Sequence, residues 1–301
     1  MISVKVPASS ANLGAGFDCM GVALKLYNLI DVEEISSGLD INILGETTTF
    51  LPKDEKNLVY QSMLKIFDYI GRYPKGLKIN LTNRIPVTRG LGSSSACVAG
   101  GLFAANALTG YQLTQKELIT MAAQIEGHPD NSTPTILGGM VVAVMDKGEV
   151  PYVRIKLPDT LKFAVFVPGF TLATKKARNI LPDVISHKDG VFNAGRAALM
   201  AASMVAGNYD NIPFAVEDKL HQPYRAELIP DMKQIFDVSK QYGAKGAFLS
   251  GAGPSIIAIL DQHSEIFRSE ASKYIQKNLP EWSIDIIEPD NEGITVVIDN
   301  D

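Results

Sequence analysis

The spacing of apolar residues changes from a strand period to a helix period within the first seventy residues. Apolar and polar residues alternate from Ile2 to Val6, which is typical of a half-buried strand. Further apolar runs, which extend the predicted β structure through the first 45 residues, are Val22–Leu24, Leu29–Val32 and Ile41–Leu44. Between residues 57 and 71 the apolar positions fall on one helical face, and Gly71 is a stop signal.

The middle of the chain predicts a buried helix and, after it, a hairpin. After a strand at 77–81, the segment Ser94–Leu108 is apolar almost all round and rich in Ala and Gly. A helix of that kind is normally buried, and Gly110 marks its end. A third helix is predicted at 115–125. Lys147-Gly148-Glu149 then predicts a hairpin turn between two strands.

The rest of the chain alternates between helix and strand signals without a repeat or a long linker. Strands are predicted at 140–145, 152–157, 163–167, 247–249, 255–260, 284–287 and 294–298, and helices at 192–206, 231–242 and 264–279. This order predicts an α+β protein of two domains with a soft boundary near residues 150–160. We assign residues 1–156 and 157–301 to the two domains.

Composition and charge narrow the classes of partner. The 301 residues carry a formal net charge of -5, which argues against non-specific nucleic-acid binding. With only two cysteines, Cys19 and Cys97, the chain has no disulfide framework, and both are expected to be small buried hydrophobes. No apolar run is long enough for a transmembrane helix, and the first residues lack a signal peptide's apolar stretch. We expect a cytoplasmic protein with no membrane partner.

The segment from Pro86 to Ala96 is the most informative stretch of the sequence. It reads Pro86-Val87-Thr88-Arg89-Gly90-Leu91-Gly92-Ser93-Ser94-Ser95-Ala96 and lies between a predicted strand and the apolar helix. Its glycines permit close backbone approach, and a helix N-terminus offers unpaired N–H groups to a polyphosphate. The absence of Lys excludes a Walker loop, and Ser95 replaces the third glycine of a dinucleotide fingerprint. A simple strand–helix turn with serine N-caps remains the alternative.

Three further stretches concentrate polar groups around glycine or proline. They are residues 7–18, the cluster Glu126-Gly127-His128-Pro129-Asp130-Asn131, and the turn 249–255. Each has a plain structural alternative: an Asx turn, a helix end and a hairpin bend. Arg178 and Arg225 offer guanidinium forks that match a planar carboxylate, although a lone Arg is usually a solvated surface charge.

Taken together, these stretches resemble the GHMP kinases, a family that includes galactokinase, homoserine kinase and mevalonate kinase. Residues 86–96 are similar to the family's nucleotide loop, and residues 249–255 to its third motif. Residues 9–18, Ser-Ser-Ala-Asn-Leu-Gly-x-Gly-Phe-Asp, are similar nearly letter for letter to the opening motif of homoserine kinases. The resemblance implies a two-domain GHMP kinase fold. Its N-terminal nucleotide-binding domain resembles domain 2 of ribosomal protein S5, and its C-terminal domain is a ferredoxin-like α/β domain.

The resemblance also implies a role for each matching residue. ATP would be bound by Pro86, Val87, Thr88, Arg89, Gly90, Leu91, Gly92, Ser93, Ser94, Ser95 and Ala96, with Asn57 and Val59 on the adenine side. Ser93 and Glu126 would ligate Mg²⁺. L-Homoserine would be bound by Asn12, Asp18, His128, Asn131, Arg178, Arg225 and Gly251. Asn131 would orient the hydroxyl, and His128 would be either a general base or an anchor for the substrate.

The implied reaction is ATP-dependent phosphorylation of the homoserine hydroxyl, in threonine biosynthesis from aspartate. A mevalonate-pathway kinase is the alternative within enzymes, and a non-catalytic binding protein of the same fold is the alternative outside them. Neither the glycine loop nor the metal carboxylate is eroded, which disfavours the non-catalytic alternative. The sequence does not define oligomeric state, and a homodimer is kept as one possibility.

Overall fold

The computed structural model describes residues 1–45, 51–261 and 264–298. The strands are β1 (Ile2–Asn12), β2 (Gly16–Glu34), β3 (Gly38–Gly45), β4 (Gly76–Asn83), β5 (Met140–Ala143), β6 (Tyr152–Ile155), β7 (Lys162–Pro168), β8 (Gly246–Leu249), β9 (Ile256–Leu260), β10 (Trp282–Ile287) and β11 (Thr295–Ile298). The helices are α1 (Leu58–Ile70), α2 (Ser93–Leu108), α3 (Gln115–Glu126), α4 (Ser132–Leu137), α5 (Thr174–Asn179), α6 (His187–Ala206), α7 (Ile212–Ala215), α8 (Gln222–Arg225), α9 (Met232–Gln241) and α10 (Ser264–Asn278).

The first sheet is built around a long antiparallel pair at the start of the chain. Its described strands follow the order β11-β1-β2-β4-β3. In addition, β5 pairs with both β2 and β6. The apolar runs at 22–24 and 29–32, which the sequence separates, lie in one strand, β2. Register shifts between Pro7 and Ala8 and between Ala11 and Asn12 show that β1 does not pair evenly with β2. Lys25 and Asn28 interrupt the apolar pattern in the sequence without ending the strand.

Helix α1 packs against α2, and α2 packs against β1 and β2 of this sheet. The Asn57 side chain caps α1 by accepting from the backbone N–H of Val59 and Tyr60, and Gly71 ends it in the left-handed region, as predicted. Helix α2 is buried along most of its length, including Gly100 and Gly101. An added Cβ at Gly101 would lie 2.4 Å from the carbonyl oxygen of Val59, so glycine permits the close contact between the two helices.

The second sheet is antiparallel and lies toward the C-terminal end of the sequence. Its described strands follow the order β10-β7-β9-β8. Its core includes Phe166 from β7, Ile256 from β9 and Phe267 from α10. The predicted boundary at 156/157 falls between β6 and β7. However, β11 returns to pair with β1 in the first sheet.

Four short helices, α4, α5, α7 and α8, lie outside the sequence expectations. They have four to six residues each, which is too short to show a helical period. Three of them carry or follow a residue expected at the site: Asn131 precedes α4, Arg178 lies in α5 and Arg225 ends α8. Every helix in the described ranges is too short or too polar to cross a lipid bilayer.

Candidate active site

A cavity of about 460 Å³ brings together residues from both halves of the chain. Its walls come from β1, β2, the loop before α2, the end of α3, α5, α8 and the turn after β8. The predicted residues that line it are Asn12, Asp18, Asn57, Val59, Val87, Thr88, Arg89, Gly90, Gly92, Ser93, Ser94, Ser95, Glu126, His128, Asn131, Arg178, Arg225 and Gly251. Three predicted nucleotide-loop residues, Pro86, Leu91 and Ala96, are not part of this lining. The side chains of Leu91 and Ala96 are buried in the hydrophobic core, so only their backbone is left to contact a nucleotide.

The loop before α2 ends in a helix N-terminus that no side chain caps. Gly92 is the N-cap residue with a φ of 69°, and it has no side chain to accept from the first N–H groups. The N–H groups of the first helical turn therefore keep the unpaired character that suits an anion. This geometry agrees with the phosphate-binding alternative for the loop and replaces the predicted serine N-cap.

Two glycines let the loop contact neighbouring chain segments closely. A Cβ on Gly90 would lie 2.3 Å from the carbonyl oxygen of Ser250, and one on Gly92 would lie 2.1 Å from Ser9 Oγ. Ser250 Oγ donates to the carbonyl oxygen of Gly90 at 2.6 Å and lies 2.7 Å from Ser10 Oγ. Ser250, in the turn 249–255, therefore connects residues 7–18 with the loop 86–96 through these two hydrogen bonds.

Glu126 reaches back from the end of α3 to the start of α2. Its two carboxylate oxygens accept from Ser94 Oγ at 2.8 Å and from Ser95 Oγ at 2.6 Å. The sequence paired Glu126 with Ser93, whereas the hydrogen bonds go to the next two serines. Mg²⁺ in nucleotide sites usually takes one or two carboxylates plus phosphate oxygens and keeps several waters. One carboxylate beside three hydroxyls at a helix N-terminus without a side-chain cap fits that pattern.

The cavity also has apolar lining from β2, β3, β4 and helices α1 and α2. Its apolar side chains include Ile30, Ile43, Leu51, Val59, Leu81 and Cys97. Both Cys97 and Cys19 are half-buried against the hydrophobic core, where full burial was predicted. Burial raises the pKa of the Cys97 thiol to about 12, so this cysteine presents an apolar surface to the cavity. The Asn57 side chain is occupied with capping α1 and donating to the carbonyl oxygen of Pro52. Asn57 therefore holds the backbone at the start of α1, where that backbone lines the cavity.

Asp18 and Arg178, which both line the cavity, form an ion pair with each other. Arg178 Nη1 and Nη2 donate to the two oxygens of Asp18 at 3.0 and 2.9 Å, a bidentate pair. Both side chains are about one-third exposed. Asn12, with a φ of 75°, donates to the carbonyl oxygen of Gly251 and accepts from the backbone N–H of Asp18. Asn12 therefore positions both Asp18 and Gly251.

Arg225 is a buried guanidinium whose described partners are all neutral. The residue is 1% exposed, and its Nε donates to the carbonyl oxygen of Ala177. Its Nη1 contacts the carbonyl oxygen of Gly251 and Nδ1 of His221. Among the described residues no carboxylate forms an ion pair with it. Burial, followed by the charge of Arg178, lowers the pKa of Arg225 to about 10, which still leaves it charged at neutral pH.

His128 and Asn131 are each held by a partner to which the sequence analysis assigned no role. His128 Nδ1 lies 2.6 Å from Asp130 Oδ1, and Asp130 is almost fully buried. Burial acts to lower the pKa of His128, but the hydrogen bond and charge of Asp130 outweigh it, and the net shift is upward. Ser9 Oγ donates to Asn131 Oδ1 at 3.1 Å. The Asn131 Nδ2 group makes no hydrogen bond with a described residue and remains available as a donor.

Comparisons with known proteins agree with this geometry. The model of the GHMP kinases N terminal domain matches residues 57–139, and that of the GHMP kinases C terminal domain matches residues 194–276. The homoserine kinase of Caldicellulosiruptor saccharolyticus is 56% identical over 298 residues, covering 98% of this chain and 96% of that protein. The chain belongs to the homoserine kinase family of GHMP kinases.

Solved structures show how far the fold extends across related kinases. The crystal structure of homoserine kinase from Cytophaga hutchinsonii aligns with a TM-score of 0.86 at 29% identity, covering 98% of this chain and 97% of that one. Mevalonate kinase of Methanococcus jannaschii aligns with a TM-score of 0.71 at 16% identity, covering 96% and 98%. The second likeness shows a shared fold alone. The predicted GHMP kinase fold is therefore confirmed.

Residues that position the site were harder to find from sequence than those that line it. Ser9, Asp130 and Ser250 lie inside motifs that the sequence singled out, so their neighbourhood was a signal although their roles were not assigned. His221 contacts Arg225 from four residues away and carried no motif signal of its own. Its i and i+4 spacing to a candidate arginine was the available clue.

Proposed function

We propose that this chain transfers the γ-phosphoryl group of ATP to the side-chain hydroxyl of L-homoserine, giving O-phospho-L-homoserine for threonine biosynthesis. The observation that carries the proposal is the arrangement of charges in the cavity that residues 87–90 and 92–95 also line. Arg225 is buried without a carboxylate partner, and the pair Asp18–Arg178 lies beside it. A buried cation is unfavourable unless an anion compensates it. The carboxylate of an amino-acid substrate supplies that anion.

The substrate ammonium separates this proposal from a mevalonate-pathway kinase. Asp18 offers a partly exposed carboxylate at the cavity, and an α-ammonium group can pair with it when a substrate carboxylate takes over Arg178. Mevalonate has a carboxylate but no cation to compensate Asp18. A zwitterion satisfies both members of the pair at once, whereas mevalonate leaves one member unpaired.

Phosphoryl transfer depends chiefly on positioning and on stabilising charge. The N–H groups at the start of α2 hold the phosphates, and the free Nδ2 of Asn131 orients the attacking hydroxyl. Glu126, with a hydroxyl from the serine run, would hold Mg²⁺, which when bound neutralises charge on the phosphate oxygens. His128 lines the same cavity as Asn131, and its contact with Asp130 holds it there. A cytoplasmic location and a homodimer stay predictions from the sequence.

The test is a substrate panel with the purified full chain and Mg-ATP. ADP release is measured with L-homoserine, with mevalonate, with 4-hydroxybutyrate, which lacks the ammonium, and with 3-aminopropan-1-ol, which lacks the carboxylate. We expect turnover with homoserine and at least about 100-fold lower kcat/KM for the two single-charge analogues, since each leaves one charged side chain unpaired. Phosphorus NMR identifies the product. Activity with mevalonate alone would overturn the proposal, and no ADP release with any alcohol would favour a non-catalytic protein.

A further inference from the structure

The buried guanidinium of Arg225 contacts the imidazole of His221, to which the proposed reaction assigns no role. His221 is 0% exposed and lies directly before α8. Its Nδ1 is 3.1 Å from Arg225 Nη1, and its Nε2 is 2.8 Å from the carbonyl oxygen of Gly14. The ring also stacks on Phe17, with 5.1 Å between ring centroids. These contacts link Arg225 to the opening motif that carries Asp18.

The two ring contacts determine the protonation state of His221. A carbonyl oxygen can only accept, so Nε2 must carry the hydrogen that it donates to Gly14. A guanidinium can only donate, so Nδ1 must offer its lone pair to Arg225. The two requirements together define the neutral tautomer with hydrogen on Nε2. A second proton on Nδ1 would direct an N–H group at the guanidinium.

The surroundings of His221 support the neutral form. Burial lowers the pKa of His221 and the charge of Arg225 lowers it further, against the raising effect of Asp218. The Asp218 carboxylate is already engaged by the backbone N–H groups of Leu220, His221 and Gln222 and by the side chain of Asn193. Asp218 therefore holds the backbone of this turn, and the longer contact to the His221 ring, at 3.6 Å, is secondary.

A neutral acceptor has a specific consequence for ligand binding. A carboxylate at position 221 would satisfy Arg225 and cancel much of its charge, which would remove the reason for an anion to enter the site. An imidazole lone pair fixes the direction of the guanidinium without placing a carboxylate in contact with it, so that compensation comes only at longer range from Asp18, Asp218 and Asp130. The other two partners, the carbonyl oxygens of Ala177 and Gly251, act in the same way.

We propose that His221 is a positioning residue that holds Arg225 through a neutral acceptor, so that the guanidinium keeps its full charge for the carboxylate of the substrate. The inference rests on the proposed function, because it assigns the carboxylate end of the amino acid to Arg225. It predicts that the charge at position 221 controls the KM for homoserine. The KM for ATP depends on other residues and should not follow it.

The decisive comparison is between His221→Asn and His221→Asp. Both variants place an oxygen near the position of Nδ1, both lose the contact to Gly14, and they differ in charge. We expect His221→Asn to keep the KM for homoserine within about threefold of the parent enzyme, the scale of one lost hydrogen bond. His221→Asp should raise that KM by about tenfold or more, because its carboxylate competes with that of the substrate for Arg225. The KM for ATP should stay within about twofold in both variants, because their charge difference lies at the carboxylate end of the site.

A control variant separates charge from general loosening of the turn. Asn193→Ala removes the hydrogen bonds that Asn193 makes with Asp218, with the backbone N–H of Lys219 and, at 3.4 Å, with the carbonyl oxygen of Ala15, but it leaves every hydrogen bond of Arg225 in place. It should lower the melting temperature and leave the KM for homoserine within about twofold, since Arg225 is undisturbed. His221→Asp should melt no lower than His221→Asn, because Arg225 gains a partner. Equal homoserine KM values for the two His221 variants, or an equal rise in Asn193→Ala, would overturn the inference.

A measurement on the parent protein covers the case in which the variants do not fold. With ¹⁵N-labelled histidine, the His221 Nδ1 should give the chemical shift of an unprotonated ring nitrogen at neutral pH, and Nε2 that of a protonated one. A protonated Nδ1 would contradict the inference. Failure of the proposed function is a distinct result, namely a parent enzyme that does not phosphorylate homoserine at all.

Discussion

Glu126 is the residue on which the proposed use of Mg²⁺ depends. Replacing it with Gln keeps the shape and one oxygen but removes the charge that a divalent cation requires. We expect Glu126→Gln to raise the Mg²⁺ concentration for half-maximal activity by about tenfold or more, the usual scale of loss for a charge partner. The KM for homoserine should change little. Titrating initial rates with Mg²⁺ at fixed ATP measures the Mg²⁺ requirement, and varying homoserine at saturating Mg²⁺ measures its KM.

The serine variants show which hydroxyl accompanies Glu126. Ser94→Ala removes a hydrogen bond that orients the carboxylate, whereas Ser93→Ala leaves both hydrogen bonds of Glu126 intact. If Ser93 is the metal ligand that the sequence predicted, Ser93→Ala will raise the Mg²⁺ requirement more than Ser94→Ala does. An unchanged requirement in Glu126→Gln would remove the carboxylate from the metal site altogether.

The sequence predicted which residues line the cavity where a motif concentrates them. It did not predict the contacts that join residues from distant segments. The cavity gathers eighteen of the residues singled out from sequence, yet their pairings came only from the structure. Asp18 and Arg178 are 160 residues apart, so their ion pair has no local signature. Leu91 and Ala96 were assigned to ATP with the rest of their loop. Apolar side chains at a helix start usually face the core, which is where both lie.

At the scale of elements, the start of α2 is the critical feature, and Gly92 controls it. An alanine there needs a left-handed backbone, which costs about 1–2 kcal/mol, and its Cβ would lie 2.1 Å from Ser9 Oγ. Displacing Ser9 also disturbs Asn131, to which it donates. We therefore expect Gly92→Ala to lower kcat and raise the KM for ATP, with kcat/KM down by about 100-fold. Steady-state kinetics with ATP varied at saturating homoserine measure the effect.

Gly110 provides a matched control just beyond the other end of the same helix. It also has a positive φ, of 87°, but the nearest atom to an added Cβ is Gln112 Nε2 at 3.7 Å. Gly110→Ala should lower the melting temperature by a similar backbone cost and leave both kinetic constants near those of the parent. Equal kinetic losses in the two variants would mean that backbone strain, and not the contact with Ser9, explains the result.

Element prediction succeeded where the apolar period had room to repeat. Helix α1 was placed within one residue at each end, since an N-cap asparagine and a left-handed glycine bracket its apolar face. The short helices α5 and α8 have six and four residues, and no periodicity can identify them. They carry Arg178 and Arg225, which is why the sequence indicated both residues without indicating their geometry.

For the whole molecule, the last residues of the chain are needed to complete the first sheet. Residues after β10 return to the first sheet: the backbone N–H of Asp290 donates to the carbonyl oxygen of Ala23, and that of Gly139 to the carbonyl oxygen of Asp290. Asn291 exchanges two hydrogen bonds with the backbone of Leu157. The predicted division at 156/157 therefore separates the two sheets by sequence but leaves the first sheet incomplete without residues 289–298.

Asp290 tests this dependence in the full chain. It is 1% exposed, accepts from the backbone N–H of Glu292 and Gly293, and accepts from the Tyr27 hydroxyl. Asp290→Ala leaves those donors unpaired, so the free energy of unfolding should fall by about 2–4 kcal/mol. Hydrogen exchange should then speed up at Ala23 and Gly139, in the first sheet, before it does along β7. Glu292→Ala, which removes an exposed side chain in the same turn, should change neither. Faster exchange confined to the second sheet would instead mean that residues 157–301 form a self-contained unit, because the lost contacts would then stabilise only that half.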